Sequence, residues 1–519
     1  MMAFADLLER LAFTPGRNAK LAHMTRYFQT APDPDRGHAL AALTGNLDAG
    51  RAKPALLREM VGQVVDPELF AMSYDYVGDL AETIALIWPT AEAPRDIPLA
   101  TVVQALGDAS RMQVPGLVAG WLDVLPPSGR LALLKLVTGG LRVGVSTRMA
   151  LTALAAIGTV PRDEIEELWA GFTPPYTPLF AWLEGGARPE LTIRAPFRPV
   201  MLSTPIDADG LAPLDAAEFT AEWKWDGIRV QAAAEGETRR LYSRTGEDIS
   251  GSFPDIVDAM DFDGTLDGEL IVRRGDRVAP FGDLQKRLGR KSPGKALLKS
   301  HPAALRLYDV LIWQGDDLRG LPFAARRGRL EQALRGLHPD RFDLSQTLDF
   351  ADWAALAALR ADPPDPVIEG VMLKRRDSAY VAGRPRGPWF KWKRDPMVVD
   401  AVLLYAQRGH GKRSGFYSDF TFGVWDGTGL VPVGKAYSGF TDEELRRLDR
   451  FVRTNTTDRF GPVRALAPEL VVEVAFEGLN RSTRHKSGVA MRFPRIARIR
   501  WDKPAAEADR IDTLRALLP

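Results

Sequence analysis

The chain has 519 residues, 45% of them hydrophobic and 26% charged, which is the composition of a folded globular protein and excludes extended disorder. Cysteine is absent, so disulfide scaffolds, Cys-ligated zinc, iron–sulfur clusters and thiol nucleophiles are excluded, and the six scattered histidines form no ligand spacing. The net charge of +1 hides a gradient: residues 1–200, 201–400 and 401–519 carry −3, −2 and +6.

Length alone suggests three or four domains at roughly 150 residues each. No stretch approaches the ~18 apolar residues of a membrane-spanning helix, and the first residues, with Asp6 and Glu9, do not resemble a secretory leader. The expectation is a cytoplasmic protein with no membrane partner.

Residues 1–195 read as helical. Phe4-Ala-Asp-Leu-Leu-Glu-Arg-Leu-Ala and Leu131-Ala-Leu-Leu-Lys-Leu-Val place apolar residues three and four apart, and Pro34, Pro115, Pro126-Pro127 and Gly139-Gly140 punctuate the runs. The Pro- and Gly-rich stretch 185–205 reads as a connection between domains. Beyond it, alternating strands are expected around 221–231, 239–244, 267–273 and 304–313, with helices near 253–260 and 323–336. That mixture predicts an α+β domain over 196–396 with mainly antiparallel pairing. In 397–519, short strands at 398–405, 419–425, 470–477 and 496–501 around a helix near 441–455 fit a small β-barrel.

The most informative segment is Glu222-Trp-Lys224-Trp-Asp226-Gly227-Ile-Arg229. Strand alternation puts Glu222, Lys224 and Asp226 on one face and Trp223 and Trp225 on the other. A lysine stripped of its proton by partial burial or a neighbouring cation is a nucleophile, although a surface lysine between acids would read the same way. Glu269, in Leu266-Asp-Gly-Glu, and Glu369, in Ile368-Glu-Gly-Val-Met-Leu-Lys374, each place a carboxylate beside glycine on an expected strand. Converging, they suit Mg²⁺, which takes oxygen ligands. Trp389-Phe-Lys391-Trp-Lys393 puts two lysines on one strand face and the aromatics on the other, an arrangement that suits an anion between the ammonium groups. Arg229 and Arg244 can fork onto phosphate or ribose oxygens, and the Tyr308 ring can stack on a base. From Arg481 to Lys503 eight cations, including Arg484 and Arg500, face the single acid Asp502, a surface suited to polyphosphate.

In order and spacing, the segments from Glu222 to Lys503 resemble the ATP-dependent DNA ligases. Lys135-Leu-Val-Thr-Gly-Gly-Leu-Arg-Val-Gly-Val is similar to part of the helical DNA-binding domain of archaeal and eukaryotic replicative-type ligases, and Pro199-Val-Met-Leu-Ser-Thr-Pro to the family's lead-in to its catalytic domain. The resemblance implies a multidomain chain: an all-α DNA-binding domain (1–195), an α+β nucleotidyltransferase domain (196–396) and a C-terminal OB-fold β-barrel (397–519). It implies Lys224 as the residue that takes AMP from ATP. Glu222 and Tyr308 would hold the adenine, Arg229 and Arg244 the ribose or nick phosphate, and Glu269 and Glu369 the ribose and metal. Lys391 and Lys393 would meet the α-phosphate, and Arg500 and Lys503 the pyrophosphate. The family's arginine about six residues before Lys391 falls on Pro385; Arg384 is preferred over Arg386 for that role. The implied cofactors are ATP and Mg²⁺, with Mn²⁺ as a substitute. The implied substrate is nicked double-stranded DNA, sealed by a monomer at the bacterial nucleoid in repair, replication or recombination. Arg142 and Lys135 are expected DNA contacts. An RNA ligase or capping enzyme, and a non-catalytic binding protein on the same scaffold, are the alternatives.

Overall fold

A computed structural model describes residues 1–47, 49, 52–89, 94–141, 143–190, 194–290, 292–409, 415–427, 429–483 and 485–518. The chain forms two compact units, one of residues 1–165, 172–190 and 396–519, the other of residues 166–171 and 191–395.

In the first unit, the N-terminal segment is all helical, with twelve α-helices from Met2–Phe13 to Thr177–Leu183 among the described residues. Met2–Phe13 buries Phe4, Leu7, Leu8 and Leu11, the spacing that lays one stripe of a helix against its neighbours. Pro127–Thr138 starts on a proline, buries Leu133, Leu134 and Val137, and stops at Gly139, whose φ of 69° is left-handed. Lys135, an expected DNA contact, is paired at 2.7 Å with Asp79, which also caps the helix Leu80–Ile87. Arg142 lies outside the described residues. No helix among them is long and apolar enough to cross a membrane.

The C-terminal part of this unit is a seven-stranded sheet centred on the long strand Met397–Arg408, which pairs with Tyr417–Asp426 on one side and with Val463–Leu466 and Val471–Phe476 on the other. Alternate residues of all these strands point into one core with Leu448 and Val452 of the helix Asp442–Thr454. More strands form than the sequence suggested. Thr456–Phe460 and Gly429–Ala436 carry too little apolar alternation to be seen, and they pair because neighbouring edges supply backbone partners.

The second unit is built on two sheets. The first runs Thr204–Pro205, Trp389–Lys393, Ile368–Arg375, Phe219–Trp225, Thr347–Leu348; the second is centred on Ile228–Glu235, Gly264–Arg274 and Ala303–Trp313. We label Phe219–Trp225 β1, Ile228–Glu235 β2, Gly264–Arg274 β3, Ala303–Trp313 β4, Ile368–Arg375 β5 and Trp389–Lys393 β6. Pairing is antiparallel except for Thr204–Pro205 on β6 and Phe342–Leu344 on β4. Behind the first sheet lies a core of Phe219, Ala221, Trp223, Val371, Leu373 and Trp392; behind the second lies one of Val230, Ala232, Leu266, Leu270, Leu305 and Leu307. Of the expected helices, Phe323–Leu334 forms, whereas 253–260 gives only the short turn Pro254–Val257 after a 3-10 turn at Ser250–Ser252.

Candidate active site

Because Phe219, Ala221 and Trp223 fill the core behind β1, alternation turns Thr220, Glu222 and Lys224 to the other face. Register extends that face across the sheet. Lys224 stands opposite Gly370 of β5, and Gly370 opposite Lys393 of β6; Glu222 stands opposite Met372, and Met372 opposite Lys391. Two lysines therefore flank a position that has no side chain. Phe390 and Trp392 pack on the reverse face, as expected, but Trp389 shares the lysine face, where it packs on Phe323 and Tyr380. Strand parity from Lys391 requires this; only two of the three aromatics alternate with the lysines.

Glu369 reaches Lys224 through an irregularity. The β1–β5 register shifts between Ile368 and Gly370, Gly370 has φ of 143°, and the Glu369 carboxylate accepts a hydrogen bond from Lys224 Nζ. Both side chains are partly exposed. At the end of β1, the Asp226-Gly227 turn leads directly into β2 and so joins the two sheets. A Cβ on Gly227 would lie 2.5 Å from the Leu270 carbonyl oxygen and 2.8 Å from Glu269 Cγ, so only glycine lets β3 come this close.

Glu269 on β3 stands opposite Arg229 and Arg306. Burial pushes its carboxyl up to about 8, the charges of Lys224 and Arg229 pull it down, and Glu369 and Asp267 push it up. The two candidate metal carboxylates thus converge beside Lys224. Among the described residues no group of three or more His, Cys, Asp or Glu is placed to hold a metal ion. A pair of carboxylates still fits Mg²⁺, which keeps several waters and completes its shell with substrate phosphate oxygens.

Arg229 does not project freely. It forks onto Asp267 at 3.1 and 2.6 Å, donates to the Met201 carbonyl at 2.5 Å and contacts the Tyr380 hydroxyl at 3.0 Å. Burial opposes its charge, but Asp267 more than offsets this and holds its pKa above the ordinary value. Tyr308 also donates to Asp267, at 3.0 Å, and its ring lies 4.2 Å from Lys374 Nζ. Glu222 is buried and accepts from Lys374 Nζ at 3.0 Å, Ser345 Oγ at 3.1 Å and Arg327 at 3.2 Å. Asp267, Lys374, Arg327 and Tyr380 were missed by sequence reasoning. Asp267 and Lys374 stood in view, since each lies two or more strand positions along from a residue singled out; Arg327, on a helix, and Tyr380, in a loop, gave no local sign.

The remaining cations of this unit gather around Lys391, across β5 from Glu222 and Lys224. Burial first, then the charges of Lys393, Arg384, Lys224 and Arg244, hold the Lys391 ammonium below its ordinary value. Arg384 is among the charges felt at Lys391. Five like charges near one point are an arrangement that suits an anion between them. Arg500 and Lys503 belong to the other unit. Arg500 is forked onto Asp502 at 3.1 and 3.0 Å, and Lys503 is bonded to Asp400 at 2.7 Å. Arg484 lies outside the described residues.

The arrangement offers a lysine amine with a carboxylate beside it, a second carboxylate close by, and a cluster of cations along the sheet. That is equipment for displacement at phosphorus. Comparison with known proteins agrees. The family model described as ATP dependent DNA ligase domain matches residues 200–393, and that described as ATP dependent DNA ligase C terminal region matches residues 413–503. A probable DNA ligase of Koribacter versatilis is 31% identical, over 99% of this chain and 95% of its own length. One of Saccharopolyspora erythraea is 33% identical, over 99% and 98%. The solved structure Pmar-Lig_PreS3 aligns over 96% of this chain and 99% of its own with a TM-score of 0.62 at 16% identity, a likeness of fold.

Proposed function

Given that the chain belongs to the ATP-dependent DNA ligase family, we propose that it seals 5′-phosphate/3′-hydroxyl nicks in duplex DNA through AMP carried on Lys224. The observation that carries this reading is the convergence of Lys224, Glu369 and Glu269 beside the cluster of Lys391, Lys393, Arg244 and Arg384.

In the first step Lys224 Nζ, hydrogen-bonded to Glu369, loses a proton to solvent, and its lone pair attacks the α-phosphorus of ATP. A P–N bond forms, the bond to the bridging oxygen breaks and pyrophosphate leaves. In the second, a 5′-phosphate oxygen of the nick attacks the same phosphorus and Lys224 is released. In the third, the 3′-hydroxyl displaces AMP and the strand is closed. Such transfers ask chiefly for alignment and charge neutralisation. The β-sheet supplies the first, and Lys391 and Lys393 the second. Glu269 and Glu369 would hold Mg²⁺, which would supply further charge neutralisation of the transferring group. Glu222 and Tyr308 would take the adenine, Arg229 and Arg244 the ribose or nick phosphate. Arg500 and Lys503 would take the pyrophosphate in exchange for the carboxylates that now hold them. The nucleotidyltransferase name for the α+β unit and the OB-fold β-barrel name for the C-terminal sheet rest on the same reading, as does action as a monomer at the nucleoid.

The test is mass spectrometry of the protein incubated with ATP and Mg²⁺. An adenylyl mass on Lys224 is expected, lost in Lys224→Ala and in Lys224→Arg, whose guanidinium stays protonated. Undiminished labelling of either variant refutes the assignment. Faster sealing of a nicked RNA duplex than of nicked DNA would favour the RNA ligase alternative.

A further inference from the structure

Glu222, only 1% exposed, is held by two cations at once. Arg327 donates to Oε1 at 3.2 Å, while Lys374 Nζ at 3.0 Å and Ser345 Oγ at 3.1 Å donate to Oε2. Lys374 is itself 1% exposed, and three rings surround its ammonium: Tyr308 at 4.2 Å, with Phe323 and Trp389 both at 4.9 Å. Arg327 is fixed in turn by Glu331 at 3.1 Å and the Ser345 carbonyl at 2.5 Å. A buried lysine is costly unless its surroundings use it. Here the same ammonium touches both groups to which the family resemblance gives the base, the Glu222 carboxylate and the Tyr308 ring.

Two consequences follow from elementary chemistry. With two cations and a hydroxyl donating to its oxygens, the Glu222 side chain serves here as an acceptor. Three donors fill three of its roughly four lone-pair sites, leaving about one for a ligand. An exocyclic amino group can use that site, whereas a carbonyl oxygen at the same place meets a second acceptor and is repelled. Lys374 also covers part of one face of the Tyr308 ring through cation–π attraction, which fixes the plane on which a base would lie.

We propose that Lys374 is a positioning residue for base selection: it ties the Glu222 acceptor to the Tyr308 ring so that a 6-amino purine is accepted and a 6-oxo purine refused. This deepens the lysyl–AMP reading and rests on it.

The experiment follows adduct formation on Lys224 in the full chain against ATP and GTP concentration, for wild type, Lys374→Met and Lys374→Arg. In Lys374→Met the KM for ATP should rise about tenfold or more, as when a polar site loses its alignment, with the limiting rate less affected. GTP should change little, so the ATP-over-GTP preference falls by the same factor. Lys374→Arg, which keeps the cation, should recover part of it. A preference left unchanged, whether both nucleotides weaken together or neither does, overturns the proposal and leaves Lys374 a structural residue. Should Lys374→Met fail to fold, Ser345→Ala removes one Glu222 donor and must lower the same ratio. Wild type that forms no adduct defeats the underlying reading instead, before any variant is compared.

Discussion

Gly370→Ala offers a direct trial of how the sheet builds the site. A Cβ at this position would lie 2.3 Å from the Trp392 carbonyl oxygen, 2.7 Å from Lys393 Cα and 3.0 Å from Arg394 N, all of them backbone atoms. Ordinary contact begins near 3.4 Å, so β6 must retreat by about 1 Å where Lys393 pairs with Gly370. The φ of 143° adds backbone strain for any residue with a side chain. Strain of about 1–3 kcal/mol and overpacking of about 1–3 kcal/mol together predict a loss of roughly 2–6 kcal/mol. The same shift moves Lys391 and Lys393 and disturbs the bulge that brings Glu369 to Lys224, and a displacement of about 1 Å in such a site costs on the order of 100-fold in rate. Thermal unfolding, read together with the single-turnover rate of adduct formation, measures both effects. Gly282→Ala is the control, since its Cβ would meet nothing within 4 Å. A Gly370→Ala protein with wild-type melting temperature and wild-type adduct rate would refute the argument.

Two further outcomes are expected. The Glu269 carboxyl titrates at about 8 when folded, against an ordinary value of 4.5. The stability this group contributes is full below pH 4.5 and falls as pH rises to about 8, at up to about 1.36 kcal/mol per pH unit. Glu269→Gln, in chelator-treated protein, should therefore gain on wild type across that window and level off above it. A difference in melting temperature that does not vary with pH would refute the assignment. Asp309→Ala should cost about 3–5 kcal/mol, because it strands the fully buried Arg326 that Asp309 grips at 2.8 and 2.9 Å. Urea unfolding would show this, and a loss under 1 kcal/mol would mean the pair is replaceable.

Much of the site was legible because β1 and β6 obey a period of two. Naming Lys224 places Glu222 with it, and naming Lys391 places Lys393. The same rule, applied consistently, would have put Trp389 on the lysine face, which the eye for aromatics overrode. Glu369 was found by its neighbours in sequence, yet its approach to Lys224 depends on a bulge, and no local pattern announces where a ladder slips. Asp267 was passed over although it shares a strand with Glu269; its importance comes from Arg229, Tyr308 and Tyr380 meeting on it from three other segments. The strand Thr456–Phe460 was invisible because it is polar and largely exposed, and its backbone pairing with the neighbouring Val463–Leu466 asks for no apolar alternation. Local periodicity thus reports which face a side chain joins, and stays silent on which strangers meet there.

The carboxylates holding Arg500 and Lys503 have a consequence of their own. Asp400 is bonded to both cations and Asp502 to Arg500, so under the pyrophosphate role proposed for them both side chains are already tethered. An incoming anion then swaps one negative partner for another, rather than having to marshal two wandering side chains. Passing acidic molecules, for their part, encounter a surface whose appetite is already blunted, and only a ligand bringing several charges at once can outcompete the tenants.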